Sequence, residues 1–302
     1  AAATRAMSSG VVCLPRKGLK PIEPTWYAGR PRWLQPSPQR EYAVVMFIET
    51  IDNGSVRWLT LNRPETKNAI PADGWSALTE AFAAFEISEQ RVLVITGTGG
   101  DFCSGADLGG GESDIASAAG RAGRMKLVGK AALSLHRLTK PTIAAVDGVA
   151  AGAGMNLALG CDIVLASERA RFSEIFVRRG LTVDFGGTWI LPRLIGIQRA
   201  KELILSGRIV AAAEAKEIGL VSDVVGHEEL ASAAQDLAEQ LATSAPIPQM
   251  FAKRTVNRSF ELSFEQALEE ENQAQVICFE TEDVGEGISS FLEKRTPEFK
   301  GR

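Results

Sequence analysis

The sequence predicts an α/β fold, and three observations support that prediction. Apolar, β-branched runs of strand length alternate with segments whose apolar residues recur at helical spacing, the pattern of parallel strand–helix–strand units. The chain has 302 residues, of which 45% are apolar and 23% are charged, so it can bury a large core. After Arg193 the periodicity becomes almost wholly helical, which predicts a helical last third.

A β-hairpin is expected where the regular pattern begins. Val44–Ile51 and Val56–Leu61 are apolar runs of strand length, and the turn between them contains Asn53-Gly54. Asn-Gly is the strongest short-range hairpin signal because both residues tolerate positive φ angles. The hairpin is followed by helical spacing over Trp75–Phe85 and by a buried strand over Arg91–Gly97.

The alternation of helix and strand then repeats along the chain. It predicts a helix over about 114–138, a strand over Thr142–Asp147, a helix over Gly152–Leu159 and a strand over Cys161–Ala166. Period-3.6 apolar positions predict the helices of the last third, over 199–206, 212–218, 228–242, 248–259, 263–278 and 284–294.

The chain divides into three regions. Residues 1–42 contain six of the thirteen prolines and show no helical periodicity, so we expect an irregular basic extension there. A targeting peptide would be amphipathic and poor in proline, although organellar import remains an alternative. Residues 43–245 are expected to form the α/β core, and residues 246–302 a helical C-terminal region.

Charge and composition exclude several classes of protein. The net charge of the whole chain is −4, and residues 1–41 carry +5 of it, so the remaining residues carry −9. A strongly acidic region of this size argues against nucleic-acid binding. No apolar run approaches the length that spans a bilayer. The four cysteines are scattered, which predicts neither a disulfide framework nor a metal site. We expect a cytoplasmic protein without a metal or a membrane partner.

Two glycine-rich segments follow strong strands and are the first candidates for a functional site. They are Gly97–Leu108 and Asp147–Asn156. Glycine permits positive φ angles and close approach of a ligand, and free N–H groups near a helix start attract negative charge. The two histidines make a catalytic triad improbable, so chemistry is expected to rest on backbone groups and carboxylates.

Five segments together resemble the signatures of the crotonase (enoyl-CoA hydratase/isomerase) superfamily over about residues 43–302. They are Leu61–Ala69, Phe102–Leu108, Lys140–Gly148, Cys161–Ile163 and Phe291–Arg295. The resemblance implies a crotonase-like spiral of repeated β-β-α units with a helical C-terminal trimerisation region. It also implies an acyl-CoA thioester substrate whose enolate oxygen is held between two backbone N–H groups, with coenzyme A as part of the substrate and no other cofactor.

The resemblance carries roles over to individual residues. The two enolate-binding N–H groups would be those of Ala106 and Ala153. The coenzyme A moiety would contact two nearby segments and a third from a neighbouring subunit: Glu65, Thr66 and Lys67; Ser104, Gly105, Asp107 and Leu108; and Phe291 and Lys294. The expected assembly is a trimer or a dimer of trimers.

The acid/base group decides which reaction is expected. Hydratases of this superfamily use two glutamates, and the matching positions here hold Asn156 and Phe176, neither of which accepts a proton. Asp184 matches the aspartate of dienoyl-CoA isomerases, and its segment resembles that of ring-1,2-epoxyphenylacetyl-CoA isomerases. Glu174, two residues before Phe176, is expected to point elsewhere.

The leading hypothesis is therefore an acyl-CoA isomerase in which Asp184 moves a proton between two carbons, because double-bond migration needs one base and no added water. One alternative is an enoyl-CoA hydratase or a ring hydrolase that uses Asp184 and an ordered water. An alternative of another class is a non-catalytic acyl-CoA-binding or RNA-binding member of the fold, for which the basic residues 1–42 are the only support.

Overall fold

Two sheets organise the chain, whose computed structural model describes residues 47–109 and 117–302. The strands are β1 Ile48–Asn53, β2 Val56–Leu61, β3 Val92–Gly97, β4 Thr142–Val146, β5 Val149–Ala151, β6 Ile163–Ser167, β7 Arg171–Ser173, β8 Val210–Ala211 and β9 Asp223–Val225. Within the described residues the main sheet has six strands in the order β1-β2-β3-β4-β6-β9, and a smaller sheet has the order β5-β7-β8.

The helices are bounded as follows: α1 Gly74–Glu86, α2 Ala118–His136, α3 Ala153–Leu159, α4 Gly187–Ile195, α5 Ile197–Ser206, α6 Ala212–Glu217, α7 Leu230–Ala242, α8 Pro246–Arg258, α9 Phe264–Phe279 and α10 Glu282–Glu293. Short 3-10 helices span Pro64–Thr66, Ile175–Arg179 and His227–Glu229. Most of the predicted elements are confirmed within a few residues. The expected helix over 114–138 is shorter in the structure: it begins at Ala118, after the N-cap Ser117 whose side chain accepts from Gly120 N–H, and ends at His136, while residues 114–116 lie outside the described part.

The predicted hairpin is confirmed. Strands β1 and β2 pair antiparallel, with Ile48 opposite Leu61 and Asn53 opposite Val56, and Gly54 adopts a φ of 58° in the turn. From β2 onward the neighbouring strands of the main sheet are parallel. The predicted residues 44–46 of the first strand lie outside the described residues, as does the expected extension over 1–42.

The two faces of the main sheet pack against different layers, because successive side chains of a strand point to opposite faces. Leu59, Leu93 and Ala144 belong to a large core shared with α1, α2 and α3. Trp58, Val94 and Ile143 face α7, where Ala234 and Ala238 are among the buried residues. The indole of Trp58 donates to Gln235 Oε1 at 2.7 Å and so fixes α7 on the sheet.

The β-β-α repeat expected from the resemblance is confirmed in the two repeats that begin with β4 and β6. In each repeat the first strand belongs to the main sheet and the second to the small sheet. A helical segment follows the second strand: α3 after β5, and the 3-10 helix Ile175–Arg179 after β7. The turn after β3 is similar, because Cys103 forms an isolated bridge with Ala150 of β5. The repeats bring successive loops to the carboxyl ends of the parallel strands.

The last third is less purely helical than the sequence predicts. Strand β8 pairs with β7, and β9 adds to the edge of the main sheet beside β6. These strands have two and three residues, too short for an alternating pattern to be visible in the sequence. Helix α4, which precedes Arg199, is also absent from the predicted set. A capping box of Ser263 and Gln266 begins α9.

The C-terminal helices are attached to the core at a few defined points. Arg91 donates from its guanidinium to the carbonyl oxygens of Ala242 and Phe299, at 2.7 and 2.9 Å. Lys253 of α8 donates to Asp162 at 2.7 Å. Outward-facing apolar side chains remain exposed on α9 and α10 and in the turn before α9: Phe260, Phe264, Val276, Phe279 and Phe291.

Candidate active site

The two glycine-rich segments meet at the carboxyl ends of β3 and β4. The loop after β3 runs between β5 and the segment around Ile70: Ala151 N–H donates to Cys103 O at 2.9 Å, and Ile70 N–H donates to Gly105 O at 2.8 Å. Pairing on both sides keeps the backbone of residues 103–106 in an extended conformation and holds it against the start of α3. The two glycine-rich segments therefore lie side by side in the structure.

Glycine is required where the two segments touch. A Cβ on Gly105, which has a φ of 101°, would lie 2.9 Å from Ala151 O and 3.6 Å from the backbone nitrogen of Ala153. A Cβ on Gly154 would lie 2.3 Å from Cys103 O. Neither approach tolerates a side chain, because the neighbouring atom is backbone in both cases.

The N–H groups of Ala106 and Ala153 lie on these two adjoining segments. Ala153 is the first residue of α3, so its N–H belongs to the first turn, where no intrahelical acceptor exists. Ala106 bridges Ile70, but the hydrogen bonds of that bridge are made by Gly105 O and Asp107 N, so the N–H of Ala106 faces away from Ile70. Such a pair of backbone donors suits a developing oxyanion.

The residues expected to contact coenzyme A fall into two groups in the structure. Ser104 joins the 65–67 segment through its N–H, which donates to Lys67 O, and its hydroxyl, which donates to Thr66 O, both at 2.9 Å. Glu65 is exposed, and Lys67 forms a 3.3 Å ion pair with Asp101. Gly105, Asp107 and Leu108 continue the same strip of loop, with Leu108 exposed.

Asn68 holds this strip in place and was not singled out from the sequence. Lys67 and Asn68 adopt left-handed φ angles of 54° and 58°. The fully buried Asn68 amide donates to Thr98 O and Asp101 O, while its oxygen accepts from Arg63 N–H. The available signal was an asparagine within Leu61–Ala69, since asparagine tolerates the left-handed region and bonds nearby backbone.

Asp107 caps its own loop. It accepts from Gly109 N–H and from the Arg63 guanidinium, both at 2.9 Å, and these bonds lower the pKa of its carboxyl. Arg124 of α2 donates to the Asp107 carbonyl at 3.0 Å. Asp107 is thus occupied by structural contacts and is not poised to accept a substrate proton.

Asp184 lies in the turn before α4. Phe185 and Gly186 have φ angles of 51° and 85°, and the Phe185 ring packs 5.9 Å from the ring of Trp75. Asp184 Oδ1 is buried and accepts no hydrogen bond from the described residues. Burial raises the pKa of this carboxyl to about 6, and the positive charge of Arg124 acts in the opposite direction.

The two residues expected at the positions of the hydratase glutamates lie beside Gly152 and the Asp184 backbone. Phe176 is 6% exposed, and its ring lies 3.6 Å from the place a Cβ would take on Gly152, beside Ala153. Asn156 is fully buried, and its Nδ2 donates to the backbone oxygen of Asp184 at 3.0 Å. Both residues surround the site with groups that cannot transfer a proton.

Glu174 joins the cluster, contrary to the expectation that it would point elsewhere. Its side chain is fully buried, and Oε2 lies 3.5 Å from Asn156 Nδ2. Burial, with a smaller contribution from the charge of Asp184, raises the pKa of Glu174 to about 8. The tight turn of the 3-10 helix Ile175–Arg179 follows this residue directly, which the sequence pattern did not reveal.

Phe291 and Lys294 are not brought to the other expected contact residues within one chain. Phe291 is 82% exposed on the last turn of α10, and Lys294 ends that helix with a φ of 56°. Within the described residues, no side-chain hydrogen bond or ion pair links either of them to Lys67 or Ser104. Their role in another subunit's site stays a prediction.

Across residues 47–109 and 117–302, no group of three or more His, Cys, Asp and Glu side chains is arranged to hold a metal ion. None of the helices in the same part of the chain is both long and apolar enough to cross a membrane.

Comparison with known proteins gives a consistent result. The sequence model of the enoyl-CoA hydratase/isomerase family matches residues 52–302. The chain is 39% identical over 259 residues to the 1,2-epoxyphenylacetyl-CoA isomerase of Escherichia coli, covering 85% of this chain and 99% of that protein. It is 40% identical over 246 residues to the 2,3-dehydroadipyl-CoA hydratase of the same organism, covering 81% and 94%. The crystal structure of an enoyl-CoA hydratase from Bacillus anthracis superimposes with a TM-score of 0.79 at 34% identity, covering 85% of this chain and all of that one.

Proposed function

Because the chain belongs to the enoyl-CoA hydratase/isomerase family of the crotonase superfamily and is an enzyme of that family, we propose that it isomerises unsaturated acyl-CoA thioesters. The observation that carries this proposal is the set of side chains at the pocket. Asn156 and Phe176 stand at the two positions where hydratases of the superfamily carry glutamates, and Asp184 is the partly accessible carboxylate beside them. One base suffices for moving a double bond.

The thioester enolate is the intermediate that the backbone donors suit. In the proposed mechanism the thioester oxygen accepts hydrogen bonds from the N–H groups of Ala106 and Ala153. Negative charge develops there as a proton leaves the acyl chain. A backbone donor at such a position is commonly worth about 3 to 4 kcal/mol of transition-state stabilisation. The neighbouring start of α3 adds a favourable dipole, because α3 begins at Ala153.

Asp184 carries the proton in this proposal. Its carboxylate takes a proton from one carbon of the acyl chain and returns it to another, so no water is added and no group is lost. Burial supports this role, because it raises the pKa of Asp184 to about 6 and leaves a carboxylate basic enough to accept a proton near neutral pH.

The coenzyme A moiety is proposed to lie along Glu65, Thr66, Lys67 and the loop Ser104–Leu108. The hydrogen bonds from Ser104 to the 65–67 segment support this placement, since they make one continuous strip. We further propose that the chain assembles as a trimer or a dimer of trimers. Exposed Phe264, Phe279 and Phe291 on the C-terminal helices support association there, and assembly would let Phe291 and Lys294 reach a neighbour's site.

Hydration is the second candidate, and Glu174 is the observation that favours it. Hydratases of the superfamily use two carboxyl groups, and Glu174 with Asp184 would form such a pair from different positions. The 40% identity to a 2,3-dehydroadipyl-CoA hydratase also supports it. Against it, Glu174 is fully buried behind Asn156, so its carboxyl has no open path to a water on the substrate.

A panel of thioesters distinguishes the two reactions. Purified protein is incubated with 3-enoyl-CoA, dienoyl-CoA, ring-1,2-epoxyphenylacetyl-CoA and crotonyl-CoA, and products are separated by chromatography and mass. Isomerisation leaves the mass unchanged, whereas hydration adds one water. We expect isomerisation of a 3-enoyl-CoA or a related thioester to be faster than hydration of crotonyl-CoA. Hydration that is faster by about tenfold or more would contradict the proposal.

A further inference from the structure

Glu174 is a buried carboxyl group to which the proposed mechanism gives no task. It follows β7 and begins the turn into the 3-10 helix Ile175–Arg179. Its exposed fraction is 0%, and its Oε1 has no hydrogen-bond partner among the described residues. Burial of an incompletely bonded carboxyl costs free energy, so a chain that needed only a filled core would be better served by an apolar residue here.

The amide of Asn156 connects Glu174 with Asp184. Asn156 Nδ2 lies 3.5 Å from Glu174 Oε2 and 3.0 Å from the backbone oxygen of Asp184. Asn156 itself cannot move away, because Gly187 packs directly on it: a Cβ on Gly187 would lie 2.4 Å from Nδ2. The position of the Asp184 backbone is thereby tied to the side chain that meets Glu174.

The other charged groups around Glu174 are directed elsewhere. Arg178, on the same 3-10 helix, donates to the carbonyl of Ser206. Arg208, in the turn before β8, pairs with Glu202 and Glu214. The charge that acts on Glu174 is that of Asp184, and the positive charge of Arg124 in turn lowers the pKa of Asp184.

We propose that Glu174 is a positioning residue that controls the acid/base state of Asp184: neutral, it leaves Asp184 with the single negative charge of the pocket, and ionised, it opposes return of the proton from Asp184 to the enolate. The proposal rests on the isomerase mechanism given above. Return of the proton moves negative charge from the thioester oxygen back to Asp184. A second buried negative charge that acts on Asp184 raises the free energy of that step, because charges interact strongly where water is excluded.

The pH dependence of turnover tests this role. With Glu174 neutral below about pH 8 and ionised above it, kcat of the wild-type protein should fall roughly tenfold from its maximum by about pH 9, while KM stays nearly constant. Glu174→Gln cannot ionise, so its kcat, normalised to its own maximum, should lack that alkaline decline. Glu174→Ala, which also removes the contact with Asn156, should lack it too and should lower kcat at every pH.

A matched control uses Glu89, an exposed glutamate that precedes β3 at the opposite end of the sheet. Glu89→Gln should retain the wild-type alkaline decline. If Glu174→Gln also retains it, another group titrates and the proposal is wrong. If folded Glu174→Gln loses all turnover at every pH while still binding acyl-CoA, Glu174 itself transfers the proton, which equally overturns a positioning role.

A readout that needs no turnover separates this proposal from the proposed function. Infrared difference spectra between about pH 7 and pH 9.5 should show loss of one protonated carboxylic acid band in the wild-type protein. The same band should be present in Asp184→Asn and absent in Glu174→Gln. If no thioester is isomerised but the band behaves this way, the isomerase proposal fails while the ionisation of Glu174 stands. Absence of the band in the wild-type protein overturns the inference.

Discussion

Gly154, the second residue of α3, lies against Cys103 so closely that a Cβ on the glycine would stand 2.3 Å from the carbonyl oxygen of Cys103. The same carbonyl accepts a 2.9 Å hydrogen bond from Ala151 N–H, so it cannot turn aside without breaking the bridge between the two loops. The spacing between the N–H of Ala153 and the loop that carries Ala106 is therefore set by backbone contact. Filling this contact should separate the two donors.

Gly154→Ala is expected to reduce turnover by more than its effect on stability explains. The added methyl group must push the 103–106 loop away, at a cost of about 1 to 3 kcal/mol, and the donors of Ala106 and Ala153 move apart. Gly123→Ala in α2 is the control, because nothing lies within 4 Å of its Cβ position and alanine favours a helix by about 1 kcal/mol. Steady-state kinetics and thermal unfolding of both variants test this, and a fully active, stable Gly154→Ala protein would contradict it.

Asp184→Asn is expected to abolish isomerisation while leaving acyl-CoA affinity nearly intact. Asparagine keeps the shape of aspartate but cannot accept a proton, so turnover should fall on the order of 10² to 10⁴-fold, while binding changes by less than about 1 kcal/mol. Exchange of substrate protons with D₂O should disappear in parallel. Asp236→Asn, on the exposed side of α7, should behave as wild type. Wild-type turnover in Asp184→Asn would place the base elsewhere.

The decline of kcat/KM at low pH should follow the protonation of Asp184. Because the base must be ionised, kcat/KM should fall below about pH 6. Arg124 lowers the pKa of Asp184, so Arg124→Met should raise it and move this decline to higher pH. Lys126→Met, an exposed neighbour on α2, is the control and should leave the decline in place. A decline shifted to lower pH in Arg124→Met would contradict the assignment.

Light scattering at micromolar concentration should give the mass of a trimer or of a dimer of trimers. The exposed phenylalanines of α9 and α10 form the expected contact, and Phe279→Glu together with Phe264→Glu should shift the protein toward monomer, because a charge cannot be buried there without a partner. A monomeric wild-type mass would rule this assembly out. Coenzyme A affinity measured on the monomeric variant then shows whether a neighbour contributes to binding.

Glu174 should also make stability depend on pH. Its folded-state pKa of about 8 lies above its ordinary value of 4.5, so between these values the folded protein holds a proton that the unfolded chain releases. The free energy of unfolding therefore decreases as pH rises across this window. Glu174→Gln should be more stable than wild type by a few kcal/mol at about pH 8, with the gain vanishing toward about pH 4.5. Urea unfolding at several pH values measures it, and a gain that does not grow with pH would contradict the assigned ionisation.

The parts of the fold that follow from local pattern were predictable. Asn53-Gly54 identified the hairpin, and the apolar spacing from Trp75 to Phe85 identified α1, because each signal lies within one element. Strand β9 was missed because its three residues pair with β6 far away in sequence, and nothing in Asp223–Val225 alone distinguishes a strand from a loop. The two glycine segments were singled out from their glycine content and their places after strands, and the structure brings them together.

The residues of the acid/base cluster could be predicted less fully from the sequence. Asp184 and Asn156 were singled out by resemblance, but Glu174 was set aside by counting residues from Phe176. Its position depends on the short 3-10 helix after it and on the burial of Asn156 against Gly187, and both are consequences of tertiary packing. Asn68 escaped notice for a similar reason, since its amide donates to Thr98 O and Asp101 O in the loop after β3.

The placement of Ala106 and Ala153 has a consequence for how this protein can diversify. Both candidate enolate-binding groups belong to the peptide backbone, so a codon change at either position, other than one to proline, keeps an N–H group in the chain. Positions 156, 174, 176 and 184 of the acid/base cluster act through their side chains, and these lie on three separate segments. Under the proposed mechanism, substitutions within this cluster would exchange one reaction of an enolate for another, while the backbone groups that bind the enolate are retained.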